Sequence, residues 1–297
     1  MKALIGISIN DLQKEYGDRR AMELARECGA DAVDFFLREE PHREGSLYDR
    51  GEEAITAYYT ELRAYAKELG LIISQTHGRC RSFIGDATAD AITVEKCRLD
   101  CLATAALSAP ACVIHSVSTG GVGPDAQPQY VRDLNHSMFM QILPFAKQYG
   151  IRIAAETFGD SPKHGCCDFF GNLEEFIGAC QRIEATEYKD WFTVCIDTGH
   201  SNKAMRFNNP PPDEVIRRIG GDRISLLHLN DNDGMTDQHK LPLSGSIDWE
   251  KVFAALNEVG YKGVYNMELN LRHFGKELMV EHAAFAVAVL RNFLKNR

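Results

Sequence analysis

Three carboxylates and one histidine each close an apolar, β-rich run of the sequence. Glu156, Asp197 and Glu268 end three such runs, and His228 ends a fourth. Burying a charge at these positions is costly unless an opposite charge compensates it. A divalent cation supplies that charge, and three carboxylates with one imidazole suit Mn or Mg and also accept Zn. We therefore predict that these four residues hold one divalent metal ion.

Other ligand-type residues fall after the same or neighbouring runs. A single acid at such a position is readily explained as a solvated loop residue, whereas ligand-type residues at the ends of four successive runs favour a shared site. Candidates for additional metal or substrate contacts are His77, His115, His200, Asp237 and His239. Arg272 and His273 follow Glu268 and are candidates for binding a substrate carboxylate or phosphate.

Three charged residues nearby receive a different interpretation. Arg79 and Arg81 follow His77, and we interpret them as solvated loop residues rather than phosphate ligands. Asp34 lies inside an apolar run and is assigned a structural or loop role.

Eight apolar runs alternate with longer segments of helical periodicity. Nearly continuous apolar runs are typical of parallel strands that are buried on both faces. The predicted strands are 4–9, 32–37, 71–76, 112–117, 151–156, 192–197, 223–228 and 263–268. The predicted helices are 19–28, 52–69, 93–107, 130–149, 173–183, 213–219, 249–259 and 277–294.

This alternation predicts an α/β protein with a (β/α)8 TIM barrel, formed as a single domain over residues 1–297. An open, doubly wound sheet is the rival fold. That fold usually carries a glycine-rich phosphate loop after its first strand. Here the first run is followed by Asn10-Asp11-Leu12, which favours the barrel. In a barrel the carboxyl ends of the strands form one rim, so the residues named above are expected to meet there.

Composition limits the classes of partner. The 297 residues carry a net charge of −9, which argues against nucleic acid because such binding needs a basic surface. No apolar run reaches the length of about 18 residues that a membrane span requires. Nine scattered cysteines predict a reduced, cytoplasmic chain. Oligomerisation is left open, with a homo-oligomer as the form considered.

At these residues the chain resembles the xylose isomerase-like TIM barrel superfamily, which includes sugar phosphate isomerases and epimerases, inosose dehydratase-like enzymes and family 2 AP endonucleases. The resemblance spans the whole chain. Its most specific motifs are Ile196-Asp197-Thr198-Gly199-His200, His228-Leu229-Asn230-Asp231-Asn232, Asp237-Gln238-His239 and Gly245-Ser246-Ile247-Asp248-Trp249.

The resemblance implies a metal-dependent isomerase or epimerase of a sugar, sugar phosphate or cyclitol. Glu156 and Glu268 would then be the acid/base pair, and a metal would polarise the carbonyl group beside the exchanged proton. One departure concerns ketose 3-epimerases, which typically carry an arginine soon after the residue matching His228. Here that segment reads Asp231-Asn232-Asp233-Gly234, which puts this particular activity in doubt.

Three alternatives stay open. The additional histidines and Asp237 also match the ligands of endonuclease IV-type enzymes, which implies a multinuclear zinc phosphodiester hydrolase. An inosose dehydratase-like lyase would share the proton-abstraction step. A sugar-binding protein that retains the barrel without catalysis is the third alternative, and the intact acid pair argues against it.

Overall fold

Eight parallel strands form the centre of the molecule. The computed structural model describes residues 3–37, 46–79 and 82–295. The strands in chain order are β1 (Ile5–Ser8), β2 (Ala32–Phe36), β3 (Ile72–His77), β4 (Ala111–Ile114), β5 (Arg152–Glu156), β6 (Asp160–Ser161), β7 (Cys166–Cys167), β8 (Phe192–Asp197), β9 (Ile224–His228) and β10 (Tyr265–Met267). All except β6 and β7 belong to the parallel sheet, in the order β10-β1-β2-β3-β4-β5-β8-β9.

The two ends of this strand order meet. A parallel bridge between Leu229 and Met267 connects the end of β9 to β10. The predicted (β/α)8 barrel is therefore confirmed. The eight predicted runs correspond to its strands, so the carboxyl ends that carry the candidate ligands form one rim.

Helices surround the barrel. They are α1 (Asn10–Tyr16), α2 (Asp18–Glu27), α3 (Glu52–Glu68), α4 (Ala87–Ala106), α5 (Thr119–Val122), α6 (Pro128–Tyr149), α7 (Leu173–Glu184), α8 (Thr198–Ala204), α9 (Pro212–Ile219), α10 (Trp249–Glu258) and α11 (Met279–Lys295). Gly150 ends α6 in the left-handed conformation, with φ of 71°, as a glycine stop predicts. Among the described helices, none is long and apolar enough to cross a membrane.

Several short elements lie outside the predicted ones. Helix α8 follows β8 directly, although its sequence has no apolar periodicity. It is stabilised by Asp197, whose side chain accepts the His200 N–H, and by Ser201, whose hydroxyl donates to the Asp197 carbonyl. The β6–β7 hairpin lies between β5 and α7, a segment for which the sequence analysis predicts no strand or helix. Local hydrogen bonding rather than hydrophobic pattern determines these elements, so periodicity alone does not reveal them.

The apolar core has two parts. The larger cluster fills the space between the sheet and the helices, while a small cluster lies inside the barrel. The inner residues are mostly small: Ala111, Val113, Ala154, Cys195 and Leu226. This inner layer supports the floor of the rim because the strands it comes from continue into the ligand residues.

Candidate metal centre

The four residues predicted to share a metal lie together at the mouth of the barrel. Glu156 and Asp197 end β5 and β8, His228 ends β9, and Glu268 follows β10. One ligand atom from each lies within 4.8 Å of the others. The side chains of Glu156, Asp197 and His228 are buried, and that of Glu268 is 17% exposed. We refer to Glu156, Asp197, His228 and Glu268 as the central group.

His228 is oriented from behind by a residue that the sequence analysis assigned a structural role. Its Nδ1 lies 2.6 Å from Glu156 Oε1, while its Nε2 lies 3.1 Å from Asp34 Oδ2. Asp34 is completely buried on β2. Donation of Nε2–H to Asp34 leaves Nδ1 directed at the site, an arrangement typical of metal-binding histidines. Asp34 carries the same sequence signal as the ligand acids, a charge in a buried apolar strand.

Asp197 combines two functions. Its Oδ1 accepts the His200 N–H at 2.7 Å and caps α8, while its Oδ2 accepts from the Asn230 side-chain amide at 2.8 Å. Gly199 allows this close packing, because a Cβ there would lie 1.9 Å from Asn230 Oδ1. These contacts pack the segment from Asp197 to His200 against the Leu229-Asn230 segment.

Histidines supply the positive charge that faces the central carboxylates. Burial opposes ionisation of Glu156, but His228 and His115 hold its pKa well below the ordinary value. Burial raises the pKa of Asp197. Burial opposes protonation of His228, but its charged surroundings, including Glu268 and Glu156, hold its pKa well above the ordinary value.

The donor set of the central group fits a divalent cation. Within the described part of the chain, Glu156, Asp197 and Glu268 form ion pairs with histidines. A cation can take the place of the imidazole protons there. Carboxylate oxygens with imidazole nitrogen suit Mn, Zn or Mg.

A second group adjoins the first through Glu156. His115 Nε2 lies 2.9 Å and His77 Nε2 lies 3.9 Å from Glu156 Oε2. Glu156 therefore directs Oε1 at His228 and Oε2 at this pair. The His77 ring also stacks parallel to that of His228, with centroids 5.4 Å apart. His77, His115 and Glu156 form a potential ligand group of their own.

A third group lies on the other side of the central one. His200 Nε2 and His239 Nε2 lie 3.5 and 3.3 Å from Asp237 Oδ2. Each imidazole lies with Nδ1 near a backbone oxygen, that of Thr157 for His200 and that of Glu268 for His239. Donation by Nδ1–H leaves both Nε2 atoms facing Asp237. We refer to His200, Asp237 and His239 as the outer group.

Two of the remaining basic residues, Arg272 and Arg79, have acidic partners. Arg272 Nη2 lies 3.0 Å from Glu15 Oε2 on the rim. The assignment of Arg272 and His273 to substrate binding stays a prediction. Arg79 is buried in an ion pair with Asp100 at 2.7 Å, so its interpretation as a solvated loop residue is wrong. Arg81 lies outside the described residues.

One aromatic residue at the site was missed. Phe158 follows Glu156 by two positions, and its ring contacts those of His115 and His200, with centroid distances of 5.1 and 5.7 Å. It therefore lies between the second group and the outer group. Its sequence signal is its position just past a strand-end acid.

Fold and site together define a class. Ligand-type residues gather at the carboxyl ends of barrel strands, where enzymes with this fold have their active sites. The chain belongs to the xylose isomerase-like TIM barrel family, whose sequence model matches residues 22–292. Its fold and its strand-end residues both agree with that assignment.

The curated relatives include a probable endonuclease. The chain is 30% identical over 139 residues to a probable endonuclease 4 of Pediococcus pentosaceus, covering 46% of this chain and 43% of that protein. Across the curated relatives, the matches span 37% to 54% of those proteins' lengths.

Solved structures share the fold. A D-tagatose 3-epimerase-like protein superposes with a TM-score of 0.74 at 21% identity, covering 99% of this chain and 97% of that one. The IOLI protein, solved with a zinc atom, gives a TM-score of 0.69 at 16% identity, covering 97% and 94%. Identities this low establish similarity of fold alone.

Proposed function

We propose that this protein is a divalent metal-dependent isomerase or epimerase of a sugar, sugar phosphate or cyclitol. The observation that carries the proposal is the presence of two carboxylates, Glu156 and Glu268, in one compact group at the mouth of the barrel. A metal ion bound by this group would polarise a substrate carbonyl oxygen.

Glu156 and Glu268 would transfer the proton beside that carbonyl. The pKa of each is lowered against the effect of burial, chiefly by His228, so both are ionised and able to accept a proton. They approach the site from different strands. One could remove a proton from carbon while the other returns it on a different face. A dehydratase would use the same first step and then lose water.

A small, polyhydroxylated substrate agrees with the surroundings. The net charge of −9 disfavours a polyanionic partner. By analogy of fold, the epimerase-like structural neighbour supports this chemistry, and the zinc-containing IOLI protein supports a bound divalent metal.

Solvent deuterium exchange tests this proposal. Protein loaded with Mn²⁺ or Zn²⁺ is incubated in D₂O with a panel of ketoses, sugar phosphates and inososes, and label at carbon is measured by NMR. We expect exchange with at least one compound, and its loss in Glu268→Gln and Glu156→Gln. Glu53→Gln, an exposed helix residue, is the matched control.

Metal content is measured on the same samples, so that loss of metal is separated from loss of proton transfer. Exchange that persists in both glutamine variants would refute the acid/base assignment. A metal-loaded protein that labels none of the compounds would count against the proposed reaction.

A second candidate is a multinuclear phosphodiester hydrolase. The observation that favours it is that the three groups of ligand-type residues adjoin one another. Glu156 connects two of them, because its Oε2 faces His115 and its Oε1 faces His228. Two or more adjacent cations can stabilise the attacking and leaving oxygens of a phosphoryl group. The probable endonuclease 4 among the relatives supports this candidate. Zinc-dependent nicking of abasic-site DNA, lost in His77→Ala, would make it the leading function.

A further inference from the structure

A buried lysine lies directly behind the outer group, and the sequence analysis did not single it out. Lys203 is on α8, three residues after His200, so both side chains face the same direction. Its Nζ lies 3.2 Å from Asp237 Oδ1 and 2.8 Å from Asp160 Oδ1. Its side chain is only 3% exposed.

The two carboxylate oxygens of Asp237 have different partners. Oδ1 faces the ammonium group, and Oδ2 faces His200 and His239. Asp237 thus has one oxygen left for a cation. The ammonium group of Lys203 also lies within a few ångströms of the place where a cation bound to Asp237 Oδ2 would lie. Its positive charge therefore repels that cation.

The carboxylates at the outer group already have cationic partners in the protein. Asp160 and Asp237 face Lys203, and Asp160 also pairs with Arg206. Two carboxylates therefore meet two cationic side chains. In contrast, the central group has three carboxylates, with Asp34 behind His228. The electrostatic attraction for a cation is therefore stronger at the central group than at the outer group.

Lys203 is not required to hold the loop that carries Asp237. Asp233 accepts the backbone N–H groups of Met235 and Thr236, and Arg206 donates to the Met235 carbonyl. Further along, the backbones of Asp231 and Lys240 bond in both directions. Because these contacts fix the loop independently, the main effect of Lys203 on the outer group is its charge.

We infer that Lys203 weakens the outer group as a metal site, so that a divalent cation binds there after the central group is filled and more reversibly. This inference deepens the proposed function, since it rests on metal binding at the same rim. It assigns Lys203 as a residue that tunes the site through Asp237 without contacting substrate.

The test is a Zn²⁺ titration of metal-free protein in competition with a chromophoric chelator. His239→Ala identifies which binding step belongs to the outer group. We expect Lys203→Met to tighten that step by about tenfold or more and to leave the tighter, central step unchanged. Lys251→Met, an exposed lysine paired with an aspartate, is the matched control and should change neither step.

An outer-group affinity that is unchanged or lower in Lys203→Met, with the central step intact, would overturn the inference. So would the absence of an outer step in both proteins. Lys203→Gln replaces the methionine variant if circular dichroism shows that the latter does not fold. Failure of the proposed function appears separately, as a lack of substrate labelling by protein whose Zn²⁺ binding is normal.

Discussion

At the scale of single residues, the orientation of His228 depends on a buried aspartate. Asp34 accepts from Nε2 at 3.1 Å, and this contact leaves Nδ1 for the site. Such outer partners commonly change metal affinity by about 10- to 100-fold when they are replaced. Asp34 is thus expected to matter for metal binding although it is not a ligand of the central group.

Replacement of Asp34 by asparagine should weaken the first Zn²⁺ bound by about tenfold or more, because the charge behind His228 is lost. The dissociation constant is measured by chelator competition. Asp190→Asn, an exposed aspartate, serves as the control. Equal affinities in wild type and Asp34→Asn would show that Asp34 has no role in the site.

At the scale of elements, a buried aspartate connects two loops of the rim. Asp168 accepts the N–H of Thr119, which begins α5, and that of Phe170. Burial raises its pKa to about 6. The folded state therefore favours the protonated form, and the stability contributed by this group is present below about pH 4 and lost as pH rises through about 6.

Asp168→Asn removes this titration. The difference in unfolding free energy between the wild type and the variant should therefore depend on pH. Relative to the variant, the wild type should lose about 1 kcal/mol of unfolding free energy between pH 5 and pH 7.5. Urea unfolding of metal-free protein at several pH values measures it. A difference that stays constant with pH would contradict the raised pKa, and Asp190→Asn should give a constant difference.

At the scale of the whole molecule, the rim brings together ligands from strands far apart in sequence. A cation bound by Glu156, Asp197, His228 and Glu268 would connect β5, β8, β9 and the segment after β10. Anything that binds the native state alone stabilises it, by about 2.7 kcal/mol at a concentration 100 times the dissociation constant.

Removal of metal should therefore lower the thermal midpoint, by about 5 °C or more for a chain of this size. Scanning calorimetry with Mn²⁺ or Zn²⁺, and then with excess chelator, measures the shift. The Asp197→Ala variant should show a much smaller shift between the two conditions. An equal shift in that variant would mean that the stabilising cation binds elsewhere.

The barrel and the proximity of the four central residues were predictable from the sequence alone. Apolar runs such as the one ending at Asp197 had to be buried strands, and a charge at the end of such a run needs a partner. In a barrel those ends meet, so Glu156, Asp197, His228 and Glu268 were predictable as neighbours. Local patterns also predicted most helices, because their apolar periodicity and glycine stops are properties of adjacent residues.

How each side chain is held depends on contacts that form only in the folded barrel. Asp34 reaches His228 across 194 residues of chain, and Lys203 reaches Asp160 through the folding of α8 against β6. The local sequence marks Asp34 as a charge within an apolar run but does not reveal its partner, and it gives no signal for Lys203. Their partners are fixed by the closing of the barrel and the packing of the rim loops, which bring distant residues together to satisfy charges that burial would otherwise leave unpaired.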